Sequence, residues 1–262
     1  MEQNYNDSNL VLLKDDKDLI PGILGLAEVF EKYKDVPDVE IELRLGFHNG
    51  DLEHPAFDTN VGDEFQKAIT SVMQTFGGWD STVKSDTTDY YTQGPVGNNI
   101  RLSIDSNGNR TAMQKVRLLD IDFEYDPSPF DIRVSVSQEI PKDPMSLESC
   151  FDVGGDTNVT HSRQKSRTTF KHEVWSFDMS KVTSVENELS NTTYEVELEI
   201  GRPREALNRY NNNSQYLAHS TMIKLRQLIY MCEAPEKESS YMMQMLNRRE
   251  RNHPVRYRTD SI

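Results

Sequence analysis

The sequence predicts a mainly β, α+β protein: a closed antiparallel β-barrel tunnel of about eight strands, with a polar charged lumen and helices packed on the outside. Three observations point there. Residues 39–45 (VEIELRL) and 194–200 (YEVELEI) alternate charged with aliphatic residues, so each puts its charges on one strand face. Glutamate suits strands poorly, and like charges facing each other across a sheet repel. Glu40, Glu42, Glu195, Glu197 and Glu199 on two such faces therefore ask for a cation between them. Next, residues 100–104 (IRLSI) and 132–137 (IRVSVS, running on to Glu139) alternate too, and Arg163, Lys165 and Arg167 put their cations on one face. Finally, ionic faces turned inward leave aliphatic faces outward, and the chain offers three amphipathic helices to cover them.

In chain order, residues 1 to about 15 form a polar leader. Pro21 opens a helix over 21–34 with Ile23, Leu24, Ala27 and Phe30 near one side. The first acidic strand follows Pro37. A second helix covers 63–76, with Phe65, Ile69, Val72 and Phe76 in register and Gly77-Gly78 ending it. Residues 85–200 read as strands and turns, Asn107-Gly108 giving a hairpin signal. The asparagines at 211–213 form a loop. A third helix covers 215–232, with Leu217, Met222, Leu225, Ile229 and Cys232 on its apolar side. The tail after Pro235 carries Arg248, Arg249, Arg251, Arg256 and Arg258. The expected division is a leader over 1–15, a catalytic domain over 16–235 and a basic tail over 236–262.

Composition narrows the function. A formal charge of −14 argues against long-range attraction to a nucleic-acid polymer or an anionic membrane. No apolar run approaches a membrane span, and Met1-Glu2-Gln3-Asn4 does not open a signal peptide. Two cysteines, Cys150 and Cys232, fit a reducing compartment and build no disulfide framework. The chain is expected not to be secreted, so the sequons at Asn158 and Asn191 carry no weight.

Glutamates without histidine or cysteine neighbours are hard oxygen ligands for magnesium, manganese or calcium. Arginine and lysine clusters match phosphate oxygens. Together they describe a metal-bound polyphosphate, whose hydrolysis needs charge neutralisation and a carboxylate that orients water. Simpler explanations exist for single features. A solvated face explains Glu40 and Glu42 taken alone, and a charge-protected edge strand explains Arg163, Lys165 and Arg167 taken alone. Arg101 and Lys115 could be surface ion-pair partners, and Glu139 and Asp178 turn or edge residues. His48, His54, His161, His172, His219 and His253 show no ligand spacing, although His161 shares the parity of the basic strand. Trp79 and Trp175 read as packing groups.

With these residues in view, the chain resembles the fungal-, viral- and protist-type metal-dependent mRNA 5′-triphosphatases of the triphosphate tunnel metalloenzyme superfamily. Residues 39–46 are similar to their opening metal motif and 194–199 to their closing metal strand. Residues 131–141, 163–167 and 177–183 are similar to three strands between, in matching order. The resemblance implies Glu40, Glu42 and Glu199 as metal ligands, with Glu197 and Glu195 as supporting acids. It implies Arg101, Lys165 and Arg167 on the terminal phosphate, with Arg163 beside them and Lys115 on a strand that also supplies a cation. It implies Glu139 as the carboxylate that positions water and Asp178 as an acid behind the site. The implied cofactor is Mg2+ or Mn2+. The implied substrates are the 5′-triphosphate end of nascent RNA and, as a side activity, nucleoside triphosphates. Two departures stand out. Arg44 replaces a common lysine, and no lysine-x-aspartate-glycine motif is present, so a separate RNA guanylyltransferase partner is expected. Homodimer formation stays open, as does nucleus against viral cytoplasmic factory. The other readings are a tunnel-type inorganic or thiamine triphosphatase and a non-catalytic barrel.

Overall fold

The computed structural model describes residues 9–13, 19–49, 56–93, 99–125, 128–145, 159–186 and 189–230. The arginines of the tail, Cys150, Cys232, His54, His253 and Asn158 lie outside the described residues. The strands are β1 (Asn9–Leu13), β2 (Val39–His48), β3 (Phe57–Asp58), β4 (Ser81–Gln93), β5 (Asn99–Asp105), β6 (Arg110–Tyr125), β7 (Asp131–Lys142), β8 (Val159–His172), β9 (Trp175–Glu186) and β10 (Leu189–Gly201). The helices are α1 (Leu19–Tyr33), α2 (Asp63–Thr75), α3 (Pro203–Arg209) and α4 (Ser214–Tyr230).

Eight strands close on themselves in the order β2–β7–β6–β5–β4–β8–β9–β10 and back to β2, every pair antiparallel. The predicted closed barrel is therefore the fold. Two further strands sit outside the ring. β1 pairs in parallel with β6, so a strand falls within the stretch read as a leader. β3 pairs with the end of β2, where any side chain at Gly46 would collide with the Asp58 carbonyl oxygen.

The alternation is resolved as expected on one half. Outside β2 lie Ile41, Leu43 and Leu45, and outside β10 lie Val196, Leu198 and Ile200, all buried against α1 residues such as Leu26 and Phe30 and α4 residues such as Met222 and Leu225. The other half departs from the expectation. The outward residues of β8 are Ser162, Gln164, Ser166 and Thr168, half-buried or exposed, and those of β4 include Lys84 and Asp86, both exposed. No aliphatic face needs covering there. A small cluster of Ile100, Leu102 and Ala112 serves β5 and β6.

Helix details also differ. α2 buries Ile69 as expected, together with Gln66 and Met73; Phe65 is half-buried against Phe130, and Phe76 is exposed. The reason for the burial of Gln66 is polar: its Nε2 donates to Ser180 O at 2.7 Å and Glu195 O at 3.1 Å, anchoring the helix over β9 and β10. On α1, Leu24 is exposed, while Leu26 and Val29 join the core. Four helices are present among the described residues rather than three, the short α3 lying in a stretch for which the sequence predicts no element. Asn211 and Asn212 adopt left-handed φ of 54° and 57°, a conformation asparagine tolerates, and so turn the chain from α3 into α4. Trp175 is buried and Trp79 packs beside the core, both as expected.

Candidate active site in the barrel lumen

Register decides which charges meet. In the β2–β10 ladder Glu42 pairs with Glu199, Arg44 with Glu197, and Glu40 with Gly201. Directly opposed residues on a sheet face lie about 5 Å apart at Cβ, so Glu40, Glu42 and Glu199 form one contiguous acid patch. Arg44 stitches its inner side. Its Nε donates to Glu42 at 2.7 Å and Glu197 at 2.9 Å, and its second nitrogen donates to Glu42 at 2.8 Å. Burial, then the charge of Glu197, push the Glu42 carboxyl up to about 8. Burial, then Glu40 and Asp178, push Glu199 up to about 8 as well. Glu199 makes no ion pair among the described residues. Glu197 goes the other way: against its burial, Arg44 and Arg167 hold it below the usual carboxylate range.

Lys115 on β6 reaches over β7 into the same patch. Its Nζ lies 2.9 Å from Glu40, 3.1 Å from Glu139 and 3.6 Å from Glu42. Against burial, Glu42 and Glu40 raise its pKa. Glu139 is held below its ordinary value by Lys115 and Arg101 against its own burial, so it is ionised at neutral pH. Arg101 stands 3.9 Å from Glu139 and donates to Met113 Sδ at 3.4 Å.

The basic wall is β8. Arg163 donates to Glu195 at 2.6 Å. Arg167 donates through Nε to Ser180 at 2.8 Å, through one terminal nitrogen to Glu197 at 2.7 Å, and through the other to Asp178. Asp178 also accepts the Thr169 hydroxyl at 2.6 Å, while burial raises its pKa. Lys165 is the least compensated of the three lumen cations of this strand. Its nearest acid is Asp89 at 4.0 Å, and burial, then Arg167, depress its pKa.

These contacts skip a strand. Lys115 crosses β7 beside Ser137, and Arg167 crosses β9 beside Ser180, both serines essentially buried. Small side chains on the intervening strands leave room for long ones to meet, so the alternating serines of β7 and β9 are part of the site.

All the residues expected in the site, Glu40, Glu42, Arg101, Lys115, Glu139, Arg163, Lys165, Arg167, Asp178, Glu195, Glu197 and Glu199, thus line one ionic lumen. Others were not foreseen. Asp122 is fully buried and takes both forks of Arg133 at 2.7 Å, while Arg133 stacks 4.7 Å over the Phe57 ring. Ser135 donates to Asp120 at 2.7 Å. A register shift between Arg117 and Leu119 swaps the parity of β6 and turns Asp120 and Asp122 to the face of Ser135 and Arg133. Residues 120–125 (DIDFEY) alternate acid with apolar much as 39–45 do, and that was the available signal.

Among the described residues no three histidine, cysteine or carboxylate side chains are arranged as a finished metal site. Arg44 and Lys115 occupy the oxygens of Glu40 and Glu42. The donor set nonetheless fits a hard divalent cation: it is all carboxylate oxygen, two members face each other directly, and Glu199 has no cationic partner within ion-pair distance among the described residues.

Comparison with known proteins bears on the family and the fold. A family model described as "mRNA capping enzyme, beta chain" matches residues 60–231. The mRNA-capping enzyme subunit beta of Candida albicans is 34% identical over 152 residues, which cover 55% of this chain and 28% of that protein. The aligned part thus spans little more than a quarter of that relative's length. Among solved structures, the S. pombe Pct1 RNA triphosphatase superposes with a TM-score of 0.64 at 18% identity, covering 80% of this chain and 92% of that one. Pct1 in complex with the Spt5 CTD gives 0.63 at 18% identity, covering 87% and 98%. The Mimivirus capping enzyme triphosphatase gives 0.54 at 14% identity, covering 80% and 97%. At these identities the structures testify to a shared fold.

Proposed function

Because the chain belongs to the mRNA capping enzyme beta-chain family, we propose that it is a metal-dependent RNA 5′-triphosphatase, converting a 5′-triphosphate RNA end and water to a 5′-diphosphate end and phosphate. One observation carries the reading: a closed barrel joins an all-oxygen acid patch, in which Glu199 has no ion-pair partner among the described residues, to a basic strand with an under-compensated Lys165. Neither charge excess is useful without a ligand that brings both a cation and an anion.

Glu40, Glu42 and Glu199 would hold Mg2+ or Mn2+, with Glu197 supporting Glu42 through Arg44 and Glu195 acting as a more distant acid held by Arg163. The ion, when bound, supplies Lewis-acid polarisation of the phosphoryl oxygens. Lys165 and Arg101 neutralise charge on the terminal phosphate, and Arg163 stands beside them. Arg167 turns one face of its fork to the phosphate when it exchanges a carboxylate for it, and Asp178 keeps the guanidinium in plane. Glu139, ionised and flanked by Lys115 and Arg101, accepts a hydrogen bond from the attacking water and orients it. Lys115 releases carboxylate oxygens of Glu40 and Glu42 as the site fills. Nucleoside triphosphates present the same phosphates and are secondary substrates.

On this reading the diphosphate end passes to a separate guanylyltransferase, in a nucleus or a viral cytoplasmic factory. The test offers γ-labelled triphosphate RNA, ATP and tripolyphosphate with Mg2+ or Mn2+ and follows phosphate release. Release from RNA supports the proposal. Release from tripolyphosphate alone would make the chain a small-polyphosphate hydrolase, and release from none would leave a binding barrel.

A further inference from the structure

Tyr91 and His161 have no part in the chemistry above, yet they stand in the same lumen. They are direct partners in the β4–β8 ladder, at a point where the register shifts. Their rings stack face to face, with centroids 4.3 Å apart and planes 8° from parallel. Cross-strand aromatic pairs often only stabilise a sheet. Here neither ring belongs to a hydrophobic cluster among the described residues, and both are half-buried. They lie at the end of the barrel where β4 finishes and β8 begins, the same end at which exposed Val185 and Leu189 flank the β9–β10 connection. Tyr91 is also the direct partner of Arg101 in the β4–β5 ladder, and Arg163 follows His161 by two residues on the same face of β8. An aromatic surface therefore adjoins two of the groups assigned to phosphate.

The imidazole is held in one orientation. Thr160 donates its single hydroxyl hydrogen to Tyr91 O at 3.2 Å, and the same oxygen lies 3.1 Å from His161 Nδ1. Burial, then Arg163, keep the ring below the usual histidine pKa, against Glu186.

Resting on the triphosphatase reading, we propose that the Tyr91–His161 stack is the subsite for the nucleobase of the nucleotide that carries the triphosphate. A flat base extends the stack while its phosphates run inward past Arg101 and Arg163 to Lys165. Stacking tolerates every base, because every base has a π face. The subsite therefore separates nucleoside triphosphates, whether free or at an RNA end, from inorganic tripolyphosphate.

The test is steady-state hydrolysis of triphosphate RNA, ATP and tripolyphosphate by the wild type, His161→Ala, His161→Leu and His161→Phe. Base stacking is worth about 1–3 kcal/mol, or roughly a 5- to 150-fold change. The ratio of KM for ATP or RNA to KM for tripolyphosphate is expected to rise by that factor in His161→Ala. His161→Leu, which fills the space without a π face, should follow it, and His161→Phe should restore most of the ratio. A shift for RNA without one for ATP still supports a base subsite, used by RNA ends. An unchanged ratio, or equal KM changes for all three substrates, overturns the subsite alone. A wild type that hydrolyses none of them overturns the triphosphatase reading and the subsite with it.

Discussion

β10 and β8 present opposite cases of the same construction. Both turn a row of charges into the lumen. Behind the glutamates of β10 lie Val196, Leu198 and Ile200, at 0–1% exposure under the helices, whereas behind the cations of β8 lie Ser162, Gln164, Ser166 and Thr168. The acid wall is thus a packed platform, and the basic wall is held by strand pairing and by ion pairs across the lumen. The difference has a physical logic. Carboxylates crowded without a cation repel, so their strands need strong support from behind. Arg163 and Arg167 instead draw their support from Glu195, Glu197 and Asp178.

Substitutions can break or sharpen this contrast. The largest effect is expected at Glu199. Glu199→Ala should lower kcat/KM for triphosphate RNA by about 1000-fold or more, by analogy with loss of a key charge-stabilising group. Its denaturation midpoint should stay at or above that of the wild type, because among the described residues the carboxylate has no ion pair to lose. Near-wild-type turnover would remove it from the site. Next comes a paired measurement on the outer faces. Leu198→Ala should cost about 2–5 kcal/mol in urea unfolding, while Gln164→Ala should stay within about 0.5 kcal/mol. Equal costs would dissolve the distinction between the two halves.

A smaller loss is expected at Arg167. Arg167→Ala should reduce kcat/KM by about 10- to 100-fold, in line with removal of a charged hydrogen-bonding partner worth about 1.5–3 kcal/mol. Lysine there should recover part of it, because the forked geometry is gone. Full recovery by lysine would mean that only charge matters.

The weakest expected effect is on pH dependence. Glu42 and Glu199 have folded values of about 8, above their ordinary value near 4.5. The folded chain therefore keeps protons that the unfolded chain has lost. That contribution is complete below about pH 4.5 and is lost as pH rises through about 8. Glu197 and Glu139 shift downward and act below this window, and Lys165 acts toward the alkaline side in the opposite sense. With a chelator present, Tm should fall between pH 5 and 8. Mg2+ or Mn2+ should flatten the slope, because a bound cation replaces the protons. A Tm that rises over this interval, or ignores the ion, contradicts the assignment of these two acids.

The same contrast explains what could be read in the sequence. β2 and β10 were legible because aliphatic outer faces make the alternation visible. β8 was legible only through the parity of Arg163, Lys165 and Arg167, since serine, glutamine and threonine between them give no hydrophobic period. β4 (STVKSDTTDYYTQ) has neither mark, so Asp89 and Tyr91 went unnoticed. Arg133 and Asp122 became partners only through the register of β6 against β7, after a bulge that no residue pattern announces. The burial of Gln66 on α2 is invisible in the sequence because sheet carbonyls remote in sequence fix it. Periodicity reports which face is greasy. It does not report which long polar chain meets which across an enclosed space.

The most direct measurement is a crystal structure with Mn2+ and an imido-linked triphosphate analogue, with the metal located by its anomalous scattering. The peak should fall inside the barrel between the carboxylates of Glu42 and Glu199, with the terminal phosphate against Lys165. A peak elsewhere, or an analogue bound on the outer wall with Glu199 untouched, would contradict the account.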